Sequence, residues 1–386
     1  MNQSRPVFYF TRMLPAYRLP IIERLNERLD NRLVVFHGQP PNGNPVLMDE
    51  QKGTFKQSIL KNYWYKDTTV HAQPFKKAFR DFGPPSVVLA EESPRSVTLP
   101  FLLRKAKKLG AGRVLWGIFY SVHRPFSGNH PLQRYRINMA RGVEACACYS
   151  RQSKAYLQPF VDDKKLFVAQ NAMDTNTLSS LRIKLEQEGK QAVRKRLGLP
   201  ENQPTFVFVA QLVKRKGTEE LLNIFHEIRS KQPATLLVIG GGPEKANMEQ
   251  QIKKLDLQDV HMLGPISALD ASAPYMYAAD LMLLPGYVGL VVNHAFSLGL
   301  PVITQAAPGN LPFHGPEVES IVDGENGIIV PRDNQEAMIH AIQTVLADSA
   351  QYAQRAVTYA EQNLSLDHMV DGLIGAINLA AKSAGQ

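Results

Sequence analysis

A lysine and a glycine occupy a place in the chain that suits phosphate binding. Lys216 and Gly217, in the segment VAQLVKRKGTEELL, lie between a predicted apolar strand and a predicted amphipathic helix. A cationic side chain there can pair with a diphosphate, and the dipole of the following helix adds a favourable potential. A solvated turn is the alternative, and this segment alone does not decide between the two.

Three glycines follow the next predicted strand, in IGGGPE from Ile239 to Glu244. Glycine lets the backbone approach a ligand or another strand closely, so Gly242 is either a binding position or a packing position. Taken by itself, the run favours tight packing. It lacks the GxGxxG spacing, and no suitably framed acidic residue follows about twenty positions on, which argues against a dinucleotide dehydrogenase.

The stretch from Leu281 to Ile303 reads LMLLPGYVGLVVNHAFSLGLPVI. It predicts a short strand, a Pro-Gly break, a helix that begins near Gly289, a stop at Gly299 and a second strand. Such strand-loop-helix-strand units build parallel sheets, which bind small molecules at the carboxyl ends of their strands and hold phosphate at helix N-termini. We therefore expect a phosphate cradle in this stretch.

The elements that must position these residues alternate between strands and helices in two series. This pattern predicts an α/β chain with two doubly wound, Rossmann-like parallel-sheet domains that face each other across a cleft. A length of 386 residues suits two such domains. The predicted divisions are a first domain at 1–173, a linker at 174–203, a second domain at 204–365, and a C-terminal helix at 366–386. Whether this helix packs back on the first domain is left open by the sequence.

Charge is unevenly distributed along the chain. Residues 1–165 hold 27 Lys and Arg against 12 Asp and Glu, although the whole chain carries only +9. Such a basic half suggests an anionic partner, but solvated surface lysines explain it equally well. The helix predicted around Pro100 to Leu109, in the segment PFLLRKAKKLG, is accordingly either a membrane-surface element or an ordinary amphipathic core helix.

Cysteine usage and hydropathy bound the cellular setting. Cys146 and Cys148, two apart in a predicted buried strand, are expected to be unpaired core thiols on opposite faces. Neither a signal-peptide pattern at the start nor an apolar run near eighteen residues is present. We expect a cytoplasmic protein, peripheral at most to the inner face of a membrane.

Five segments together resemble a known family. QLVKRKG, the GGGP turn, AADLMLLPG, GLVVNHAFSLGLPVI and EVESIVDGENGIIVP, in this order and spacing, resemble the C-terminal domain of GT-B glycosyltransferases, specifically glycosyltransferase family 4 (glycosyl transferases group 1). The likeness covers residues 204–347, and it is looser in the first half. It implies transfer of a sugar, with retention, from a nucleotide sugar bound mainly by the second domain to an acceptor presented by the first.

The resemblance assigns donor-binding roles residue by residue. It makes Lys216 a diphosphate contact and the backbone of Gly289, Leu290 and Val291 a phosphate cradle. Two family glutamates, with seven residues between them, correspond here to Gly286 and His294. The second of them holds the donor ribose in the family, so we expect His294 to contact ribose instead, with a buried core histidine as the alternative.

Further positions differ from the family or match it in part. Gln211 stands where many members carry arginine near the diphosphate, and Arg12 and Arg18 of the first domain are expected to compensate. Glu319 matches a common family glutamate, and Glu317 is a second carboxylate nearby. The predicted donor-binding residues are therefore Arg18, Gln211, Lys216, Gly242, Gly286, Gly289, Leu290, Val291, His294, Glu317 and Glu319.

The catalytic prediction is a single residue. His123 follows the Trp116-Gly117 pair, where the family often has a histidine near the reacting sugar, although a surface histidine is the alternative. The ten histidines show no HxxxH spacing, so we expect no metal and no cofactor, with the nucleotide sugar as a substrate.

The predicted function is a glycosyltransferase that acts on a lipid-linked saccharide or polysaccharide in bacterial-type surface glycan assembly. An anionic membrane surface is expected as a further partner, because the first half is basic. Loss of the glutamate pair motivates one alternative, a nonenzymatic nucleotide-sugar-binding subunit of the same fold. A nucleic-acid-binding protein is disfavoured, since neither aromatic interleaving nor a recognised module is present.

Overall fold

A computed structural model describes residues 5–40, 53–65, 70–126 and 129–384. The chain divides into two compact units. The first unit comprises Met1–Asp174 together with Leu366–Gln386, and the second comprises Thr175–Ser365.

The first unit is built on a seven-stranded sheet. Its described strands are β1 (Val7–Thr11), β2 (Leu33–His37), β3 (Lys56–Ile59), β4 (Tyr63–Tyr65), β5 (Val70–Ala72), β6 (Val87–Glu91), β7 (Gly112–Gly117), β8 (Ala145–Cys148) and β9 (Leu166–Val168). Its described helices are α1 (Leu19–Arg28), α2 (Lys76–Phe82), α3 (Leu99–Lys108), α4 (Pro131–Arg141), α5 (Arg151–Leu157) and the C-terminal α14 (Leu366–Ala384). The sheet order is β3-β2-β1-β6-β7-β8-β9, with every described pair parallel, while β4 and β5 form a separate antiparallel pair.

Burial on both faces explains the apolar runs of the central strands. All five residues of β1 (VFYFT) are buried, as a parallel strand covered by helices on both sides requires. One face packs against α2 to α5. The other face packs against α1 and α14, whose Met369, Leu373 and Ile377 join its core.

Two local expectations for this unit were wrong in detail. Cys146 and Cys148 are free and buried, but both contribute to the same core because residues two apart in a strand point to the same face. The polar composition of residues 39–61, rich in Pro, Gly and Asn, predicts a loop, but the segment includes strand β3, which pairs with β2. Strand β3 lies at the sheet edge with none of its four side chains buried, so it lacks the apolar signal of a central strand.

The second unit is built on a six-stranded sheet. Its strands are β10 (Thr205–Val209), β11 (Thr235–Ile239), β12 (Val260–Gly264), β13 (Leu281–Leu284), β14 (Val302–Gln305) and β15 (Gly327–Val330). Its helices are α6 (Thr175–Glu188), α7 (Lys190–Arg196), α8 (Thr218–Lys231), α9 (Lys245–Lys254), α10 (Leu269–Ala278), α11 (Val291–Ser297), α12 (Gln335–Ala347) and α13 (Ser349–Asn363). The strand order is β12-β11-β10-β13-β14-β15, and every pair is parallel.

The segment expected to be a linker belongs to the second unit. Residues 175–203 form α6 and α7, which pack on α10 and α11. In α7, Arg194 and Lys190 lie 2.7 and 3.0 Å from the carboxylate of Asp280, which also accepts the N–H of Thr205 at the start of β10. These partners are 75 to 90 residues away from Asp280 in the chain, so the charge composition of the segment alone resembled that of a linker.

The stretch 281–303 forms the predicted strand, loop, helix and strand. Strand β13 ends at Leu284, helix α11 begins at Val291, and Gly299 adopts a positive φ of 68° before β14. Because the strand order reverses between β10 and β13, the loops that follow these two strands flank a topological switch point, where open α/β sheets bind ligands.

Candidate functional site

Two loops meet at the switch point of the second unit through their backbones. A short 3-10 helix, Lys214–Lys216, follows β10, and the loop 285–290 follows β13. A methyl group on Gly286 would lie 2.2 Å from the Lys216 carbonyl carbon, and one on Gly217 would lie 2.7 Å from the Gly286 nitrogen. Tyr287 N–H donates to Arg215 O at 2.8 Å. Gly286 is therefore required for packing, because no side chain fits there.

Lys216 lies across the loop that follows β13. Its Nζ donates to Tyr287 O at 2.9 Å and lies 4.7 Å from the centre of the Tyr287 ring. Burial and the neighbouring Arg215 lower the pKa of Lys216 to about 8, although Glu317 acts in the opposite direction. A methyl group on Gly289 would lie 3.7 Å from Nζ, so the ammonium faces the start of the predicted phosphate cradle.

A third loop, which follows β14 and contains His314 and Gly315, fixes the position of the predicted phosphate cradle. The Val288 N–H donates to Nδ1 of buried His314 at 3.1 Å, and His314 Nε2 lies 3.0 Å from Gln305 O. Because Nδ1 accepts, we assign the proton to Nε2, which donates to the carbonyl. Burial lowers the pKa of His314 to about 4, so the ring is neutral at pH 7. Gly315 N–H returns a hydrogen bond to Val288 O at 2.9 Å.

A carboxylate and a phenol converge beside this third loop. A methyl group on Gly315 would lie 2.4 Å from Glu317 Oε2 and 3.0 Å from the Tyr287 hydroxyl. Burial, followed by the charge of Glu317, raises the pKa of Tyr287 to about 12, so its hydroxyl keeps its proton. Glu317 is buried and Glu319 is half-buried, both on the 3-10 helix Pro316–Ser320. The structure thus favours Glu317 over Glu319 as the carboxylate near Lys216.

His294 lies one turn into α11. Burial lowers its pKa to about 4, which keeps the imidazole neutral at pH 7. Its Nε2 is buried and has no hydrogen-bond partner among the described residues. A buried nitrogen without a partner is uncommon, so this atom suits either an added ligand hydroxyl or a side chain held only by packing.

Gly242 and Gln211 lie on the other side of β10 from the cradle. Gly242 has a φ of 154°, and a methyl group on it would lie 2.4 Å from Leu212 O. The Leu212 N–H donates to Gly241 O at 2.9 Å. The glycine run therefore packs backbone against backbone, as the run by itself favoured. Gln211 is exposed.

The remaining predicted residues lie in the first unit. His123 is exposed and lines a cavity of 350 Å³ beyond the carboxyl ends of β6, β7 and β8. Arg12 pairs with Glu91 at 3.1 Å. Arg18 is buried and donates to the Tyr149 hydroxyl at 2.9 Å. Catalysis by His123 and diphosphate contacts from either arginine stay predictions.

Comparisons with known proteins agree with this arrangement. Residues 189–363 match the sequence profile described as Glycosyl transferases group 1. The second unit is similar to this family over most of its length, and we call it the group 1 unit. The prediction of family 4 likeness, made from the sequence, is therefore confirmed.

Curated relatives are similar to this chain over only part of their own length. A D-inositol 3-phosphate glycosyltransferase of Salinispora arenicola is 29% identical over 209 residues, which are 50% of this chain and 45% of that protein. The putative teichuronic acid biosynthesis glycosyltransferase TuaC of Bacillus subtilis is 29% identical over 164 residues, which are 42% of this chain and 38% of that protein. The chain thus spans less than half the length of these relatives.

Solved structures share the fold of the whole chain. HepE of Anabaena, in complex with UDP and glucose, has a TM-score of 0.67 and 18% identity, covering 97% of this chain and 99% of its own. Sucrose-phosphate synthase of Thermosynechococcus elongatus has a TM-score of 0.70 and 18% identity, covering 98% and 100%. With its two Rossmann-like parallel sheets, the chain has the predicted GT-B fold.

The group 1 unit gathers part of the predicted donor set in one place. Lys216, Gly286, Gly289 and Glu317 converge on the loops described above, and Leu290 and Val291 continue from Gly289 into α11. Three contributors were not predicted from the sequence: Arg215, Tyr287 and His314. The position of Tyr287, directly after the Pro-Gly break that ends β13, could have indicated its role from the sequence. His314 could not have been identified in that way, because the backbone amide that it binds lies 26 residues away.

Two further features of the described parts of the chain are its potential metal ligands and the hydropathy of its helices. Within them, no three His, Cys, Asp or Glu side chains are grouped closely enough to hold a metal ion. None of the described helices combines the length and the apolar character needed to cross a bilayer. Metal-free donor binding stays a prediction.

Proposed function

We propose that the chain is a glycosyltransferase whose nucleotide-sugar donor places its diphosphate at Lys216, beside the backbone of Gly289 to Val291. The observation that carries this is the partly buried Lys216 ammonium, which faces the start of α11 at the switch point of a group 1 unit. Binding of UDP by HepE, a protein with the same fold, supports a nucleoside diphosphate at this kind of unit.

The chemistry of transfer follows from where charge develops. As the bond between the sugar and the diphosphate breaks, negative charge grows on the departing oxygen. Fixed cations and amides that need no rearrangement stabilise such charge, so Lys216 and the cradle amides act on the leaving group. With that group stabilised, a protein nucleophile is not required, in line with the proposed retention of configuration. His123 of the first unit is proposed as the catalytic residue.

A binding screen tests the donor site. Thermal unfolding of the full chain is measured with UDP, GDP, dTDP, ADP and CMP sugars, because a ligand that binds only the folded state raises the melting temperature. We expect one nucleotide class to stabilise the protein and Lys216→Gln to abolish the shift. Lys214→Gln, an exposed change in the same 3-10 helix, is the matched control. Absence of any shift with all five classes contradicts the proposed donor site.

A basic and aromatic surface on the first unit supports a membrane-borne acceptor. Helices α2 and α3 enclose a groove of 560 Å³ floored by Phe75 and Phe79, and Phe101 beside it is 57% exposed. The five cations that line this basic-aromatic surface are Lys76, Arg80, Arg104, Lys105 and Lys108. Cations attract anionic head groups while an exposed aromatic ring enters the interface.

Vesicle sedimentation tests this surface. We expect binding to vesicles that contain phosphatidylglycerol, weakened by salt and by the double change Lys105→Gln and Lys108→Gln, and absent with neutral phosphatidylcholine. The pair Lys253→Gln and Lys254→Gln on α9 of the second unit is the control for lost charge alone. No sedimentation even at low salt removes the membrane from the proposal.

One alternative function keeps support from a specific observation. Gly286 stands where the family has a glutamate beside the transferred sugar, and its surroundings leave no room for a side chain. A nonenzymatic nucleotide-sugar-binding subunit is the second candidate for that reason. Stabilisation by a nucleotide sugar without transfer or hydrolysis, across a panel of acceptors, favours this alternative; release of the nucleoside diphosphate on adding an acceptor favours the enzyme.

A further inference from the structure

The cavity of the first unit, at the carboxyl ends of β6, β7 and β8, is unusually rich in arginine. Its volume of 350 Å³ lies in the range of small-molecule sites. Four arginines line it, together with two glutamates: Arg12, Arg95, Arg124, Arg136, Glu91 and Glu92. The balance of these charges decides what the cavity can hold.

Two of the four arginines are neutralised inside the protein. Arg12 Nε lies 3.1 Å from Glu91, and Arg136 Nε lies 3.4 Å from Glu92. Arg95 and Arg124 have no carboxylate within ion-pair distance among the residues that the structure describes. The cavity therefore presents two guanidinium groups beyond those its own glutamates balance.

A further uncompensated charge lies directly behind the cavity wall. Arg18 donates to the hydroxyl of Tyr149, a lining residue, and its guanidinium lies 4.7 Å from the Trp116 ring centre. Arg18 is only 8% exposed, and its Nη1 is buried with no hydrogen-bond partner among the described residues. A buried cation that lacks a paired anion is costly, and it adds positive potential to the adjacent cavity.

The segment that follows β7, whose Ile118 and Tyr120 line the cavity, is held in a strained conformation. Phe119 adopts a φ of 62°, which is rare for a bulky residue, and its backbone binds the buried carboxyl of Glu92. A methyl group on Gly117 would lie 2.6 Å from Glu92 Cβ. Strained backbone of this kind persists where the surroundings fix it and concentrates at functional sites.

We infer that this cavity binds an oxyanion, phosphate or carboxylate, carried by the acceptor of the reaction. The excess guanidinium groups supply the charge and the paired donors that planar or tetrahedral oxyanions need. The limited volume admits a single anionic group of the acceptor and excludes a polyanion. The word acceptor rests on the proposed function, whereas binding of the anion does not.

Calorimetric titration of the full-length Lys216→Gln protein tests the inference, because that background removes phosphate binding at the proposed donor site. The probes are glucose 1-phosphate, glucuronate and glucose. We expect one or both anionic probes to bind and glucose not to bind, and the two anions separate phosphate from carboxylate recognition. The further double change Arg95→Gln and Arg124→Gln should weaken anion binding by about tenfold or more.

Two exposed arginines outside both the cavity and the basic-aromatic surface provide the control. Arg5→Gln with Arg141→Gln removes the same charge and should leave anion affinity unchanged. Equal binding of glucose, anion binding that survives Arg95→Gln with Arg124→Gln, or anion binding present in the native chain and lost with Lys216→Gln alone would each overturn the inference. Failure of the nucleotide screen leaves this result untouched, so the two proposals fail separately.

Discussion

The burial of Lys216 has two opposite effects on the binding of a diphosphate. Its burial brings the ammonium close to the cradle and away from water, which strengthens its attraction for an anion. The same burial lowers the pKa of Lys216 from 10.5 to about 8, so the free protein loses this charge at mildly alkaline pH. A bound anion favours the protonated form, so binding and protonation are linked.

The affinity of the protein for a nucleoside diphosphate should therefore fall as pH rises. Below about pH 8 affinity should be nearly flat, and above it affinity should decline, approaching roughly tenfold per pH unit because each binding event takes up one proton. Calorimetric titration between pH 7.5 and 9.5 measures the slope, with the phosphates fully ionised throughout. Lys216→Arg, whose guanidinium stays charged across this pH range, should bind the nucleotide without the slope, and Lys214→Gln should keep the slope. A slope that persists without Lys216 assigns the titration to another group.

Gly286 is fixed by packing, so its substitution tests whether the family glutamate can be restored. Gly286→Ala should lower the free energy of unfolding by about 1–3 kcal/mol and weaken nucleotide binding, because its methyl group meets the Lys216 carbonyl carbon at 2.2 Å. Gly241→Ala is the matched control, since the nearest atom to its methyl group lies 3.7 Å away. Urea unfolding measures both. A stable Gly286→Glu variant with tighter donor binding would show that the loop can move aside.

At the scale of elements, Asp280 joins three pieces of the second unit. It stands just after α10 and before β13, binds Arg194 and Lys190 of α7, and accepts the N–H of Thr205. Burial acts to raise the pKa of Asp280, but Lys190 and Arg194 outweigh it and lower the pKa below 3.8. This carboxylate thus fastens α7 to the amino-terminal ends of β10 and β13, at the edge of the sheet opposite the one that carries the candidate donor site.

Removal of that carboxylate should destabilise the second unit markedly. Asp280→Asn leaves the buried Arg194 unpaired, and we expect a loss of about 3 kcal/mol in urea unfolding at pH 7. Glu188→Gln breaks an exposed pair with Arg196 and should change the free energy of unfolding far less. Because the folded pKa of Asp280 is lowered, its contribution is present above about pH 4 and is lost as pH falls through the folded value. Equal effects of the two changes would contradict this role.

At the scale of the whole molecule, the end of the chain completes the first unit. Helix α14, which follows the second unit in the sequence, covers one face of the first sheet. Leu373→Ala, at a fully buried position, should lower the free energy of unfolding by about 2–5 kcal/mol. Hydrogen exchange should show the loss of protection in β7 to β9 and not in β10 to β14.

The control for α14 is an exposed position on the same helix. Asn378→Ala should leave exchange and unfolding nearly unchanged, since this side chain is exposed. Loss of protection spread evenly over both sheets would mean that α14 does not act as part of the first unit alone.

The sequence by itself determined the class of fold and the segments that form the candidate donor site. Alternating apolar runs and helical periodicities are local, so two parallel sheets were predictable from them. The stretch 281–303 was predicted as strand, loop, helix and strand because proline, glycine and apolar spacing act on neighbouring residues. The position of Lys216 after a strand followed from the same reasoning.

Only the tertiary structure decided what those residues touch. It showed that Gly286 is held by backbone contact, that His314 orients the cradle loop, and that Glu317 is the carboxylate near Lys216. The segment expected to be a linker instead forms α6 and α7, and the ion pairs with Asp280 hold α7 to the second unit. The physical reason is common to all of these: burial, pairing and steric fit depend on atoms that are distant in the chain and adjacent only after folding.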